Sequence, residues 1–202
     1  MGASPWLVLL AVGLYGLAHS ILASLWVKAR LRGTFGPSSE RWYRLAYNIF
    51  AALSLLPILA MPTLLPDREL YRVPAPWLYL TLTGQALAAL FLLVGLLHTG
   101  VWSFLGLRQL LQPPAVEPPR LVVRGLYRWV RHPLYTAGLL LIWLLPVMTV
   151  NLLALNLGLT LYIVIGAMFE ERKLIREFGQ AYVEYRRGVP MLVPFLPGKR
   201  GN

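Results

Sequence analysis

Polar and aromatic side chains crowd into one short stretch before a long apolar run. The twelve residues from Arg124 to Tyr135 hold three arginines, three aromatic residues and one histidine. Arginine offers a fork of N–H donors that suits a carboxylate. A helix that begins at Pro133 has free N–H groups that favour an anion, and aromatic rings suit a cationic ligand. The alternative is structural: Arg131 faces the lipid and His132 only caps the helix.

A pair of carboxylates, Glu170 and Glu171, ends another apolar run. Ionisable residues at a membrane edge are costly, so a functional role is the default hypothesis. They either mark where the helix leaves the lipid, or hold a ligand amine, hydroxyl or cation, or a buried arginine. Neighbouring helical positions point about 100° apart, so only one carboxylate faces inward. The periodicity favours Glu171, which shares a face with Leu174 and Phe178.

The chain also has three histidines, His19, His98 and His132. His19 lies in the first apolar segment, beside Ser20, and His98 lies at the end of the third. A histidine in an apolar helix is either hydrogen-bonded packing or a ligand, and both interpretations stay open for His19 and His98.

The composition indicates that membrane helices position these residues. Of 202 residues, 57% are hydrophobic and 13% are charged, against about 25% charged in soluble domains. The absence of cysteine excludes disulfides, thiolate nucleophiles and Cys-ligated metals, and no metal site is predicted. The net charge of +11 fits a basic surface that faces anionic lipid. We therefore expect the lipid bilayer as a partner, and no nucleic acid.

Hydrophobic runs predict an all-α integral membrane protein with about five transmembrane helices. We interpret residues 1–202 as a single membrane domain whose first 100 residues hold three of these helices. The predicted segments are Pro5–Val27, Glu40–Pro62, Trp77–His98, Pro133–Met148 and Asn151–Phe169. The last two are joined by a link that permits only a tight turn, so they form a hairpin. Gly84 and Gly95 in the third segment would let another helix approach closely.

Beyond Glu170 the helical pattern continues as an amphipathic C-terminal helix that ends at Gly188 and Pro190. Basic residues alternate between the loops: five, two, five and none in the successive loops, and seven after Phe169. The positive-inside rule then places the N-terminus outside and the C-terminus in the cytoplasm, in a prokaryotic inner membrane. All three histidines and both carboxylates fall in the cytoplasmic half and are expected to share one pocket.

The ordered motifs resemble those of a known superfamily. They are Leu121-Val-Val-Arg-Gly-Leu-Tyr127, Arg131-His-Pro-Leu-Tyr135 with Gly138, Glu170-Glu171, Leu174, Phe178-Gly179, Tyr182, Tyr185 and Val189-Pro190. Together they resemble the isoprenylcysteine carboxyl methyltransferases and phospholipid methyltransferases, integral membrane enzymes that use S-adenosylmethionine. The resemblance covers residues 121–194, the expected cofactor-binding methyltransferase core. His19-Ser-Ile-Leu-Ala-Ser24 and Gly106-Leu-Arg-Gln109 are similar to the methanethiol S-methyltransferase branch.

The resemblance implies a site for S-adenosylmethionine built from the start of the fourth segment and from the C-terminal helix. Its expected residues are Tyr127, Arg131, His132, Pro133, Tyr135, Gly138, Glu170, Glu171, Tyr182 and Tyr185. A small or lipophilic acceptor is expected near His19, His98 and Gln109. The resemblance favours a thiol, followed by a prenylcysteine carboxylate or a lipid amine, and the oligomeric state stays open.

The implied reaction is in-line methyl transfer from a sulfonium to a nucleophile, which depends on alignment and on the exclusion of water. The expected catalytic residues are Arg131, Glu171 and His19. A thiol or carboxylate acceptor reacts as the anion, which Arg131 or another loop arginine would assist. An amine acceptor needs a base, for which His19, His98 and Glu171 are the candidates.

Two other functions stay open. A haem-binding membrane protein similar to a carotenoid-isomerase branch would use His19 and His98 as axial ligands. A non-catalytic lipid-binding or scaffold protein would use no cofactor. The tail from Glu170 to Pro190 fits the methyltransferases better than the haem-binding alternative.

Overall fold

The structure, a computed structural model, describes residues 2–107, 110 and 120–194 and is almost entirely helical. Its elements in chain order are α1 (Ser4–Ala23), α2 (Leu25–Phe35), α3 (Ser39–Leu64), β1 (Glu69–Arg72), α4 (Trp77–Thr99), α5 (Val101–Leu105), a 3₁₀ turn (Gly125–Arg128), α6 (Pro133–Trp143), β2 (Val147–Thr149), α7 (Val150–Phe178) and α8 (Gln180–Gly188).

Four helices of the described chain are long and apolar enough to cross a bilayer. They span Ser4–Ala23, Arg41–Leu64, Trp77–Leu97 and Val150–Phe178. Large apolar side chains such as Leu14 and Leu93 are more than half exposed on them, at 58% and 54%, as expected of surfaces that contact lipid. The prediction of an all-α integral membrane protein is confirmed.

The fourth predicted segment is shorter than expected. Helix α6 has eleven residues and ends at Trp143, so it reaches about 16 Å, against a hydrocarbon core of about 30 Å. Pro146 explains the early end, because a proline disfavours helical backbone at the residue before it.

Two helix ends also differ from the prediction. The first segment is divided at Ser24, whose extended backbone ends α1 and whose Oγ accepts from the backbone N–H of Val27 in α2. The C-terminal helix is divided at Gly179, which has a φ of 56°. A left-handed backbone favours glycine, so α7 ends there and α8 begins.

Two segments that were predicted to be loops form an antiparallel two-stranded sheet. In its register Glu69 of β1 lies opposite Thr149 of β2, and Arg72 lies opposite Val147. Backbone polar groups near the lipid must be satisfied within the protein, and this pairing does so where the helices are interrupted.

The chain divides into two compact units. The first compact unit comprises residues 1–72, 96–116 and 147–159. Its core contains Val8, Val12, Ile58, Ala154 and Leu155. Asp67 accepts the backbone N–H of Asn151 at 3.1 Å and thereby caps the start of α7.

The second compact unit comprises residues 73–95, 117–146 and 160–202. Here α4 and α6 approach closely at glycines, as predicted. A Cβ at Gly84 would lie 2.8 Å from Leu144, and one at Gly95 would overlap Leu134. This close packing fixes α6, which follows directly on the polar stretch Arg131–His132.

Candidate functional site

Arg131 and Glu171, both in the second compact unit, form a buried ion pair. Arg131 Nε donates to Glu171 Oε1 at 2.6 Å, and each side chain is only 9% exposed. Of the alternatives drawn for the carboxylates, Glu171 therefore holds a buried arginine. A buried charge needs such a partner, so the pair positions the segment before α6 against the end of α7.

Arg131 is further held by main-chain carbonyl groups at the C-terminal end of α8. One terminal nitrogen donates to the carbonyl oxygen of Arg186 at 3.1 Å and to that of Val189. With its bond to Glu171, the guanidinium thus makes three hydrogen bonds to its own chain.

The residues Val189–Leu192 form a strap along the segment that precedes α6. The backbone N–H of Arg131 donates to Pro190 at 2.9 Å, and that of His132 donates to Met191 at 3.1 Å. The hydroxyl of Thr136 donates to the carbonyl of Leu192 at 2.7 Å. This strap holds the backbone of Arg131 and His132 by contacts that do not depend on the ion pair.

His132 lies between the two carboxylates. Its Nδ1 is 3.7 Å from Glu170 Oε2, and its Nε2 is 3.4 Å from Glu171 Oε1. The ring stacks on that of Tyr135, with centroids 5.3 Å apart. Nε2 is buried and has no hydrogen-bond partner in the described part of the chain. A buried nitrogen without a partner is costly unless a ligand or water completes it.

Glu170 differs from Glu171 in its surroundings. Its side chain is 45% exposed, and Tyr135 donates its hydroxyl proton to Oε2 at 2.9 Å. Because no arginine is paired with it among the described ion pairs, Glu170 presents a carboxylate that a ligand can reach.

The tyrosines of α8 contribute neutral hydroxyl groups to the site. Tyr182 is 1% exposed, and its hydroxyl has no hydrogen-bond partner among residues 2–107, 110 and 120–194. Burial, with a smaller contribution from the charge of Glu171, raises the pKa of Tyr182. Tyr185 donates to the carbonyl of Tyr127 at 2.6 Å, and burial raises the pKa of Tyr185 to about 12.

Pro133 and Gly138 shape the start of α6. Pro133 is buried at the first helical position, where its missing N–H costs nothing. No described atom lies within 4 Å of the position that a Cβ at Gly138 would take, so this face of α6 is open.

Three residues were predicted to bind the acceptor: one lies in the first compact unit, and the side chains of the other two are not described. His19 lies on α1 in the first compact unit, half-buried, beside Tyr47. His98 belongs to α4, but its side chain lies outside the described residues, as does all of Gln109. The shared pocket of three histidines stays a prediction.

Some contacts of the site had no signal in the sequence. Arg186 lies 3.9 Å from Glu171 Oε2, and the strap acts through backbone carbonyls that any residue would supply. Thr136 was detectable in principle, since it lies one helical turn after His132 and donates to the carbonyl of His132 at 3.1 Å.

Relatives of the chain are methyltransferases by name. The methanethiol S-methyltransferase of Crocosphaera subtropica is 30% identical over 200 residues, which cover 94% of this chain and 74% of the relative. That of Mycobacterium tuberculosis is 31% identical, covering 93% of this chain and 77% of the relative. Methanethiol S-methyltransferase 2 of Bradyrhizobium diazoefficiens is 52% identical over 75 residues, or 37% of this chain and 29% of the relative. No family model matches the chain, and no solved structure matches it.

Proposed function

Since the chain belongs to the methanethiol S-methyltransferase family, we propose that it transfers the methyl group of S-adenosylmethionine to a small thiol. The observation that carries this proposal is the similarity to those relatives over more than nine tenths of the chain. Membership of this family favours the enzyme over the haem-binding and scaffold alternatives considered from the sequence.

The residues of the second compact unit fit the proposed donor. S-adenosylmethionine carries an amine, hydroxyl groups, a carboxylate and a positively charged sulfonium. Beside Glu171, two buried polar atoms, His132 Nε2 and the Tyr182 hydroxyl oxygen, have no hydrogen-bond partner within the part of the chain that the structure describes. Glu170 adds an exposed carboxylate, and the rings of Tyr135 and Tyr127 offer faces that attract a cation. When bound, the donor supplies the electrophilic methyl group.

Glu170 and Glu171 have different roles in this proposal. Glu171 fixes Arg131 and, through it, the strap, whereas Glu170 contacts the donor directly. Arg131 donates three hydrogen bonds to its own chain, which favours a positioning role over direct binding of the acceptor anion. Pro133 and Gly138 keep the start of α6 accessible. The hydroxyl groups of Tyr182 and Tyr185 stay protonated at physiological pH, because burial raises the pKa of both.

The acceptor is proposed to be a small thiol, with His19, His98 and Gln109 as its binding residues and His19 as the base. The sulfur attacks the methyl carbon in line with the leaving sulfur. The protein is proposed to reside in a prokaryotic inner membrane with its C-terminus in the cytoplasm, which the alternation of basic residues supports.

Donor binding is tested by calorimetry with S-adenosylhomocysteine on wild type, Glu170→Gln and Glu177→Gln. Losing a hydrogen bond to a charged group costs about 1.5–3 kcal/mol, so Glu170→Gln should weaken binding about 10- to 100-fold. Glu177 is exposed on the same helix, and its variant should bind like wild type.

Turnover is tested with methyl-labelled donor and methanethiol. A labelled, volatile thioether is the expected product. Absence of both cofactor binding and labelled thioether in the wild-type protein would contradict the proposed function, and a Soret band in the purified protein would favour haem.

A further inference from the structure

Exposed apolar side chains form a stripe along the part of α7 that belongs to the second compact unit. Leu161, Ile165 and Met168 are all exposed. They follow one another at intervals of four and three residues, which places them on one face of a helix. Because α7 is long and apolar enough to cross a bilayer, this face contacts acyl chains.

Two arginines continue the same stripe towards the end of α7. Arg172 follows Met168 by four residues, Arg176 follows Arg172 by four more, and both side chains are exposed. Glu170 and Glu171 end the apolar run, so the hydrocarbon core ends near Met168. At about 1.5 Å per residue, Arg172 lies about 6 Å beyond Met168 along the helix axis, and Arg176 about 12 Å. The headgroup layer is about 5–8 Å deep on each side of the bilayer, so both guanidinium groups can reach the lipid phosphates.

No carboxylate neutralises these two arginines in the described part of the chain. Neither takes part in an ion pair among residues 2–107, 110 and 120–194. Glu171 is held by Arg131 at 2.6 Å. Steps of about 100° per residue place Glu170 and Glu177 on the far side of the helix. The lipid-facing stripe therefore ends in uncompensated positive charge.

We propose that Arg172 and Arg176 bind the headgroup phosphate of an anionic phospholipid, a site that is separate from the proposed methyl transfer and does not depend on it. Guanidinium forks match the oxygens of a phosphate. Side chains four positions apart on a helix have Cβ atoms about 5–6 Å apart, so both forks can contact one headgroup. Arg172 is already placed at the end of the apolar stripe, because its Cζ lies 5.4 Å from the centroid of the Phe169 ring.

The chemistry of the surface favours a lipid as the occupant. The arginines are continuous with a face that contacts acyl chains, so the ligand that fits both parts carries an anionic group on an apolar tail. A phospholipid with a net negative charge has this arrangement, whereas phosphatidylcholine carries a compensating cation on the same headgroup. The competing explanation is a solvated pair of arginines that selects no lipid, since basic residues commonly flank membrane helices.

The experiment measures dissociation constants of phosphatidylglycerol and phosphatidylcholine for the purified full-length protein by native mass spectrometry from an uncharged detergent. A basic residue near an anionic surface is worth about fivefold in binding. Arg172→Gln and Arg176→Gln should each weaken the binding of phosphatidylglycerol by about this factor, and the double variant by about 25-fold. The weaker binding of phosphatidylcholine should not change.

Arg187→Gln is the matched control, because it removes the same charge from an exposed arginine of α8 that lies outside the stripe. It should bind phosphatidylglycerol like wild type. All of these substitutions are on exposed side chains and should leave Tm at the wild-type value, so weaker binding reports on the site and not on unfolding.

Equal losses in Arg187→Gln and in the stripe variants would overturn the site and show that only net charge attracts the lipid. Equal affinity of the wild-type protein for both lipids would overturn it as well. Displacement of bound phosphatidylglycerol by inorganic phosphate at the same concentration would overturn the assignment to a lipid. None of these measurements involves methyl transfer, so the proposed function is tested separately.

Discussion

The ion pair between Arg131 and Glu171 makes a quantitative prediction about stability. Glu171→Gln removes the only negative charge within 4.0 Å of the Arg131 guanidinium among the described ion pairs. The pair is short, at 2.6 Å, and both side chains are 9% exposed. Solvent therefore cannot replace the lost partner.

The expected cost follows from this burial. Breaking a buried pair by removing one partner costs about 3–5 kcal/mol, because the other charge stays buried without compensation. For a chain of this size each kcal/mol lowers Tm by about 2–4 °C. Glu171→Gln should therefore lower Tm by about 6–20 °C.

A double-mutant cycle separates the pair from the other contacts of Arg131. Arg131→Met should also be destabilising, since it leaves the Glu171 carboxylate only the more distant His132 Nε2, at 3.4 Å, and Arg186, at 3.9 Å. The double variant removes both charges of the pair. It loses the bonds to the carbonyls of Arg186 and Val189, at about 1 kcal/mol each, and the longer contacts of the carboxylate with His132 and Arg186. It should therefore be more stable than either single variant.

The assay is thermal unfolding in detergent, followed by near-ultraviolet circular dichroism. Glu69→Gln is the control, because Glu69 and Arg72 form an ion pair at 2.5 Å whose side chains are 44% and 65% exposed. Its Tm should match wild type, since exposed pairs contribute little. Additive losses in the Arg131 and Glu171 double variant would refute the reasoning, as would a Glu171→Gln variant with the wild-type Tm.

Two further predictions concern residues around this pair. Tyr185 has a pKa raised by burial to about 12, so the folded protein binds this proton more tightly than the unfolded chain does. The stabilisation is complete below about pH 10 and is lost as the pH rises towards about 12; Tyr185→Phe should flatten the fall of Tm over that window, and an unchanged alkaline fall would contradict the assignment. Gly138→Leu should weaken binding of S-adenosylhomocysteine at least tenfold by calorimetry without lowering Tm, because no described atom lies within 4 Å of a Cβ there; a lower Tm with unchanged affinity would show that this face of α6 packs against protein.

Much of the architecture was predictable from the sequence, because it depends on local composition. Runs of apolar residues identify helices that must satisfy their own backbone groups in lipid. Gly84 and Gly95 correctly indicated a close helix approach, since a missing side chain is visible in the sequence. The breaks at Ser24 and Gly179 were weaker signals, because serine and glycine are also tolerated inside helices.

The candidate site, like the fold, was predictable from the sequence only in part. The polar stretch before Pro133 and the pair Glu170–Glu171 were identifiable because charged groups are rare near apolar runs. The periodicity indicated Glu171 as the inward carboxylate, but residue types alone left open whether it binds a ligand or holds an arginine. The fold decided this, because Glu171 is buried against Arg131.

Other contacts depend entirely on tertiary structure. The strap Val189–Leu192 binds through backbone carbonyls, which every residue carries and no sequence pattern can mark. The strands β1 and β2 also pair through backbone groups, so no sequence pattern marks their pairing. Tyr47 is 28 residues from His19, and a lone tyrosine in an apolar helix gives no indication of its partner. The sequence by itself thus determined the class of protein, four of the five predicted membrane segments and the residue types of the site. Only the packing of the helices decided which of those groups are neutralised by a partner and which stay available to a ligand.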